Sequence, residues 1–260
     1  MNHPIYFVGA GPGDPELITV KGRRLLQEAD RVVYAGSLVP EALLEDMRAN
    51  ARAFNSASLT IRETHALLAE GYRAGERVVR LHTGDPSLYG AIQEQMELLD
   101  RDAIPYEVVP GVSAVFAAAA ALRQELTLPE ISQTVILTRL AGRTPVPELE
   151  DLALLAAHRA TLVIYLSVQQ IEKVASELLS SYPPETPVVV AYRVGWPDQS
   201  FTQGSLADIA DKVKDADIRR QAIIMVGDVF GIRTAGGLKP SKLYDESFSH
   251  GFRESKLQDG

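Results

Sequence analysis

The feature that most constrains the fold is a repeated passage from a short apolar run, through a glycine turn, into an amphipathic segment. "PIYFVG" at 4–9 is followed by "TVKGRRLLQEA" at 19–29, whose Val20, Leu25, Leu26 and Ala29 share one helical face. The same alternation continues with "RVVYAG" at 31–36 and "PEALLEDMRA", a helix in "LTIRETHALLAEGYRAG", then "RVVRLHTGDP" at 77–86 and "LYGAIQEQMELLDRD". "YEVVPGVSAVFAAAAALR" closes the series with a strand, a Pro-Gly turn and an alanine-rich helix from about Ser113 to Arg123. Continuous Val/Leu/Ile runs between helices predict a mainly parallel sheet covered on both faces.

Prolines interrupt the pattern after Leu126, and "TVILTR" at 134–139 begins a second series. It comprises "ATLVIYLS" at 160–167, a helix over 169–180, "PVVVAYRVGWPDQSFTQG" as an antiparallel hairpin around a Trp-Pro turn, a helix near 205–214, and "QAIIMVGDV" at 221–229. The expected organisation is α/β with two α/β domains, 1–115 and 116–232, and a tail over 233–260. That tail is polar and glycine-rich without a sustained period, and reads as loose or laid over a partner.

The composition narrows the function. With 46% hydrophobic and 23% charged residues among 260, the chain reads as an ordinary globular protein. No apolar stretch approaches the length of a membrane span, and no basic segment precedes an apolar run at the N-terminus, so a cytoplasmic location without membrane association is expected. The absence of cysteine excludes disulfides, thiolate metal sites and cysteine nucleophiles. A net charge of −8 argues against a general nucleic-acid surface.

The loop "GAGPGDP" at 9–15 resembles a phosphate cradle only superficially. A dinucleotide pattern beginning at Gly9 and Gly11 would place its third glycine where Asp14 stands, Pro12 lacks an N–H donor, and no Lys-Ser or Lys-Thr follows. The alternative is a tight strand-to-helix connection in which glycines allow unusual backbone angles and Asp14 caps the next helix. "HTGDPSLYG" at 82–90 has the same construction, and "PGVSAV" at 110–115 makes a third loop at the same sheet edge, where ligands of open α/β folds collect. Asp85 either caps the following helix or accepts hydrogen bonds from a ligand.

Together, "VGAGPGDPELITVKG", "RVVRLHTGDPSLYG", "VPGVSAVFAAAA" and "QTVILTR" resemble the tetrapyrrole methylase family, the S-adenosylmethionine-dependent methyltransferases of sirohaem and cobalamin synthesis. Within it, "YAGSLVPE", "ELTLPEISQTVILTR", "GRTPVPE" and "WPDQ" are most similar to members that methylate carbon 11 of precorrin-4 or its cobalt-containing counterpart. The resemblance implies the class III methyltransferase fold with a ligand trough between the domains, S-adenosyl-L-methionine as methyl donor, a small-molecule tetrapyrrole substrate and a homodimer. By matching positions it implies donor contacts at Pro12, Thr83, Gly84, Asp85, Leu88, Ser113, Ala114, Leu166, Val194 and Ala222.

For a substrate bearing several carboxylates, Arg139 and Arg143 are the candidate partners, with Arg193 and Lys21 behind them. Ser37 and Tyr89 are further candidates for substrate contact, Tyr89 reading first as a packing residue after the turn. Sirohaem-pathway members carry an aspartate in the loop that here reads "YAGSLV", where this chain has Ala35, Gly36 and Ser37. No base is therefore assigned, with Ser37 the substitute by position. His82 reads as a satisfied core histidine at a strand end and His65 as mid-helix, and five scattered histidines predict no metal site.

Overall fold

The structure, a computed structural model, describes residues 3–142, 144–232, 241, 246–249 and 251–254, with Ser37 described by its backbone alone. Arg143 and most of the 233–260 tail lie outside the described residues. The chain divides into two compact units, 1–118 with 193–199, and 119–192 with 200–260.

The first unit alternates strands and helices: β1 (Ile5–Gly9), α1 (Val20–Glu28), β2 (Arg31–Tyr34), α2 (Glu41–Leu44), β3 (Arg52–Asn55), α3 (Ile61–Arg73), β4 (Val78–His82), α4 (Ile92–Arg101), β5 (Tyr106–Val109) and α5 (Ala114–Leu122). Its five strands lie in the order β3-β2-β4-β1-β5, all parallel. Val8, Val32, Val79 and Leu81 pack with Leu25, Leu26 and Leu43 on one face, while Ile5, Phe7, Val33 and Val78 pack with Leu68 and Leu99 on the other. Both faces are covered because successive strand residues point to opposite sides and both sets are apolar.

Three local expectations change. The sequence reading has no strand between residues 41 and 59, yet Arg52–Asn55 pairs with β2 at the sheet edge. Four residues, mostly exposed, carry too little apolar signal to be read as a strand. Val20, expected on the core face of α1, is 90% exposed, because the buried face is formed by Gly22, Leu25 and Leu26. The segment expected to follow β2 as a full helix contains only the four-residue α2.

The second unit contains β6 (Val135–Arg139), α6 (Leu152–Ala156), β7 (Thr161–Tyr165), α7 (Ile171–Leu178), β8 (Pro187–Tyr192), β9 (Ser200–Ser205), α8 (Ile209–Asp215) and β10 (Ala222–Val226). The order is β6-β7-β10-β8-β9; β6 and β7 are parallel and the other neighbours antiparallel. Leu162, Ile164, Val188, Val190, Ile224 and Val226 form its core with side chains from α6, α7 and α8. The antiparallel hairpin read around the Trp-Pro turn is β8–β9. Its connecting residues 193–199 were expected to belong with 116–232, but they pack with the first unit. Likewise α5 runs across the expected 115/116 boundary, with the division at 118/119. Among the described residues no helix is long and apolar enough to cross a membrane.

Candidate active site

Strands β1, β4 and β5 are parallel neighbours, so the loops that follow them meet at one sheet edge. Gly11 and Gly84 exchange backbone hydrogen bonds, the Gly84 N–H donating to the Gly11 carbonyl at 2.7 Å and the Gly11 N–H to the Gly84 carbonyl at 3.3 Å. Both residues have positive φ, +76° and +61°, which only glycine adopts at no steric cost. Gly9 serves a different purpose. A Cβ there would lie 2.5 Å from the Gly111 Cα, and one on Gly111 would lie 2.1 Å from the Gly84 oxygen. Three backbones therefore touch where no side chain fits.

The Asp85 carboxylate ties these loops together. Its Oδ1 accepts the Ser87 N–H at 2.8 Å and its Oδ2 accepts the Gly111 N–H at 2.8 Å. Asp85 caps its own turn, not the next helix, since α4 starts only at Ile92. Asp14 behaves similarly: its side chain accepts from Glu16 N–H at 2.9 Å and caps a short 3-10 turn over Pro15–Leu17, whereas Thr19 caps α1.

Of the sequence-predicted donor contacts, Pro12, Thr83, Gly84, Asp85, Leu88, Ser113 and Ala114 fall on these three loops, with Pro12 and Ser113 buried. Ser113 precedes α5, and its carbonyl accepts from Phe116 N–H at 3.0 Å. Val194 is buried in the 193–199 segment, which adjoins the first loop through Gly195, Trp196 and Gly13.

Leu166 and Ala222 belong to the second unit, where Ile224 pairs with Ile164, so the antiparallel ladder brings position 222 opposite 166. Arg139 ends β6 beside Tyr165, at the same end of that sheet. Leu166 is 73% exposed with φ +55°. A large apolar side chain in a left-handed conformation costs on the order of 1–3 kcal/mol. The Arg139 guanidinium donates to the carbonyls of Thr144 at 3.1 Å and Pro145 at 2.6 Å, holding those two residues beside the end of β6.

Other candidates are placed differently. His82 is a core residue, stacked on Phe7 with ring centroids 6.0 Å apart, but it is not satisfied: Nε2 has no hydrogen-bond partner among the described residues. Burial, and secondarily the Arg80 charge, push its pKa down to about 3, so the ring is neutral at physiological pH. His65 lies on α3 with Nε2 3.2 Å from the Asp102 carboxylate. Lys21 pairs with Glu107 at 3.1 Å. Tyr89, expected to pack, is 43% exposed with φ +55°. No group of three or more His, Asp or Glu side chains among the described residues could hold a metal ion.

Two features escaped sequence reasoning. Arg80, nearly buried on β4, donates to Gln95 Oε1, the Val33 carbonyl and Ser56 Oγ at 3.0, 3.2 and 3.0 Å, beneath the sheet edge. Its charge in an apolar strand run carried no signal of a role. Trp196 donates its indole N–H to the Pro12 carbonyl at 3.0 Å. The available signal was a lone tryptophan beside a glycine in "VGWPDQ".

Comparison with known proteins accords with this arrangement. The family described as Tetrapyrrole (Corrin/Porphyrin) Methylases matches residues 4–210. A cobalt-precorrin-4 C(11)-methyltransferase of Methanocaldococcus jannaschii is 50% identical over 255 residues, 98% of this chain and 97% of that protein. A precorrin-4 C(11)-methyltransferase of Pseudomonas aeruginosa is 51% identical over 249 residues, 96% of this chain and 98% of that protein. The crystal structure of a cobalt precorrin-4 methyltransferase superposes with TM-score 0.85 at 47% identity, covering 87% of this chain and 95% of that one. A uroporphyrin-III C-methyltransferase from Thermus thermophilus, solved with S-adenyl homocysteine, gives TM-score 0.74 at 31% identity, over 87% and 93% of the two chains. With a family match over most of its length and near-complete relatives at half identity, this chain belongs to the tetrapyrrole methylases.

Proposed function

We propose that the protein transfers the methyl group of S-adenosyl-L-methionine to carbon 11 of precorrin-4, in cobalamin biosynthesis. The observation that carries this reading is the loop cluster around Gly11, Gly84 and Gly111, which offers backbone and small side chains to a ligand. Pro12, Thr83, Gly84, Asp85, Leu88, Ser113 and Ala114 include no cation, which suits a sulfonium. Pro12 and Asp14 disfavour a phosphate at the same place. The nearly full-length similarity to precorrin-4 C(11)-methyltransferases supports the choice of substrate.

Held by these residues, S-adenosyl-L-methionine would supply an electrophilic methyl to an electron-rich ring carbon, with S-adenosylhomocysteine as the neutral leaving group. Such a displacement needs no protein nucleophile. What the chain contributes is orientation, worth ~7–11 kcal/mol when both partners are well placed. Asp85 serves it by bracing two loops through backbone N–H groups. Neutral, buried His82 is unsuited to proton transfer at physiological pH. Arg139 holds the carbonyls of Thr144 and Pro145, and we assign the substrate's carboxylates to Arg139 and Arg143. We place the enzyme in the cytoplasm as a homodimer, an assembly that sedimentation velocity tests.

The decisive experiment supplies methyl-13C-labelled S-adenosyl-L-methionine with precorrin-4 and, in parallel, its cobalt complex, and locates the label by NMR. Label at carbon 11 is expected. Label at another carbon rejects the assignment, and incorporation confined to the cobalt complex transfers it to that substrate, on which the Methanocaldococcus jannaschii relative is named to act.

A further inference from the structure

The first glycine loop has nothing of its own to hold the Pro12 carbonyl. The Gly11–Gly84 backbone pair anchors the loop on its strand side, and the stretch that follows, Pro12 to Asp14, is met by the segment 193–199, from far along the chain. The Trp196 Nε1–H donates to the Pro12 oxygen at 3.0 Å. Gly13 is flush with the indole, since a Cβ there would lie 2.3 Å from Trp196 Cδ1. Gly195, at φ +82°, brings its backbone so close that a Cβ would lie 2.8 Å from the Asp14 nitrogen.

The indole is itself held. The Arg193 guanidinium lies 4.2 Å from its ring centroid and its Nε is 2.7 Å from Asp198 Oδ1. The Trp196 N–H donates to the Arg193 carbonyl, the Gln199 N–H to the Trp196 carbonyl, and the Gly195 N–H to Gln199 Oε1, at 3.0, 3.0 and 3.1 Å. A stacked cation, an ion pair and a closed turn thus converge on one hydrogen bond to the loop.

We propose that Trp196 is a positioning residue that holds the first loop in its ligand-ready conformation, so that affinity for S-adenosyl-L-methionine depends on a side chain that does not itself touch it. This rests on the functional reading above. A preformed loop spares the ligand the ordering cost, so loss of the clasp falls on binding and leaves the methyl-transfer step itself unaltered.

Trp196→Phe keeps a ring against Gly13 and removes the N–H. The expected result is a Kd for S-adenosylhomocysteine raised about tenfold by calorimetry, with KM for the methyl donor raised equally, kcat at saturating donor unchanged, and the circular dichroism spectrum retained. Asp198→Asn, an exposed change that loosens Arg193, should move Kd the same way by less. Trp196 is the single tryptophan of the chain, so its emission in the unmodified enzyme reports on the clasp alone and should keep its maximum on saturation with S-adenosylhomocysteine, the loop being already in place. If the unmodified enzyme fails to bind S-adenosylhomocysteine, the functional reading fails. If it binds but Kd is unchanged in the folded Phe variant, the clasp is refuted. Should that variant not fold, unchanged Kd in Asp198→Asn, or a Trp196 emission maximum that moves on saturation, refutes it equally.

Discussion

The Asp85 carboxylate and the Gly111 N–H are joined at 2.8 Å across 26 residues of sequence, locking the loop after β4 to the loop after β5. Asp85→Ala removes the acceptor for both Gly111 and Ser87. Leaving the part-buried Gly111 donor unmatched costs about 1–3 kcal/mol, the exposed Ser87 N–H turning to water instead. Calorimetry with S-adenosylhomocysteine should therefore show roughly 10–100-fold weaker binding. Asp85→Asn, which keeps one accepting oxygen, should fall between; equal affinity in all three proteins would remove the brace from the binding account.

Gly111→Ala tests the backbone contact beneath that brace. The added methyl would meet the Gly84 oxygen at 2.1 Å and the Gly9 Cα at 2.8 Å, both backbone atoms that cannot rotate away. A loss of roughly 1–3 kcal/mol is expected, lowering the thermal midpoint by several degrees. Gly251→Ala, where a Cβ meets nothing within 4 Å, should leave the midpoint unchanged.

His82 should make stability fall in acid. Its pKa is lowered when folded, to about 3, so between that value and its ordinary one near 6.5 the unfolded chain binds a proton that the folded chain does not. The stabilisation is present above pH 6.5 and is lost as pH falls toward 3, by up to about 1.4 kcal/mol per pH unit. Urea unfolding of His82→Phe across that window should show this part of the slope removed.

Arg80→Met should destabilise the first unit by about 3 kcal/mol, because Gln95 Oε1, the Val33 carbonyl and Ser56 Oγ lose a donor in an apolar setting. Burial lowers the Arg80 pKa to about 10, so the side chain is still charged at neutral pH. Since that charge helps depress His82, its removal lets the folded His82 pKa rise toward the ordinary value, so the part of the acid loss of stability that His82 contributes should shrink in this variant.

Arg139→Gln separates substrate from methyl-donor binding. It releases the carbonyls of Thr144 and Pro145 without touching the glycine loops. Steady-state kinetics should give a raised KM for precorrin-4, about tenfold, at unchanged Kd for S-adenosylhomocysteine. A change in the latter alone would reassign Arg139.

The layered α/β construction was legible because each strand of the first unit's interior is a run of Val, Leu or Ile buried on both faces, as in "VVRLH" and "IYFVG". The missing donor in the first loop was equally legible, since Pro12 has no N–H in any fold. Arg52–Asn55 was not legible: an edge strand of four largely exposed residues is defined by its hydrogen bonds to β2, and pairing leaves no trace in local composition.

The loops illustrate the same division. Their glycines were visible, and the reading that they permit unusual backbone angles holds for Gly11 and Gly84. Gly9, Gly13 and Gly111 are required for another reason, the approach of a second backbone or an indole from elsewhere in the chain. The sequence by itself determined most of the order of strands and helices, and that Pro12 offers no N–H donor, because periodicity and missing donors are local properties. Only the tertiary structure decided that Asp85 spans to Gly111, that His82 has no partner on Nε2 among the described residues, and that Trp196 closes on Pro12 from 184 residues away. Those are contacts through space, and residue order does not encode distance.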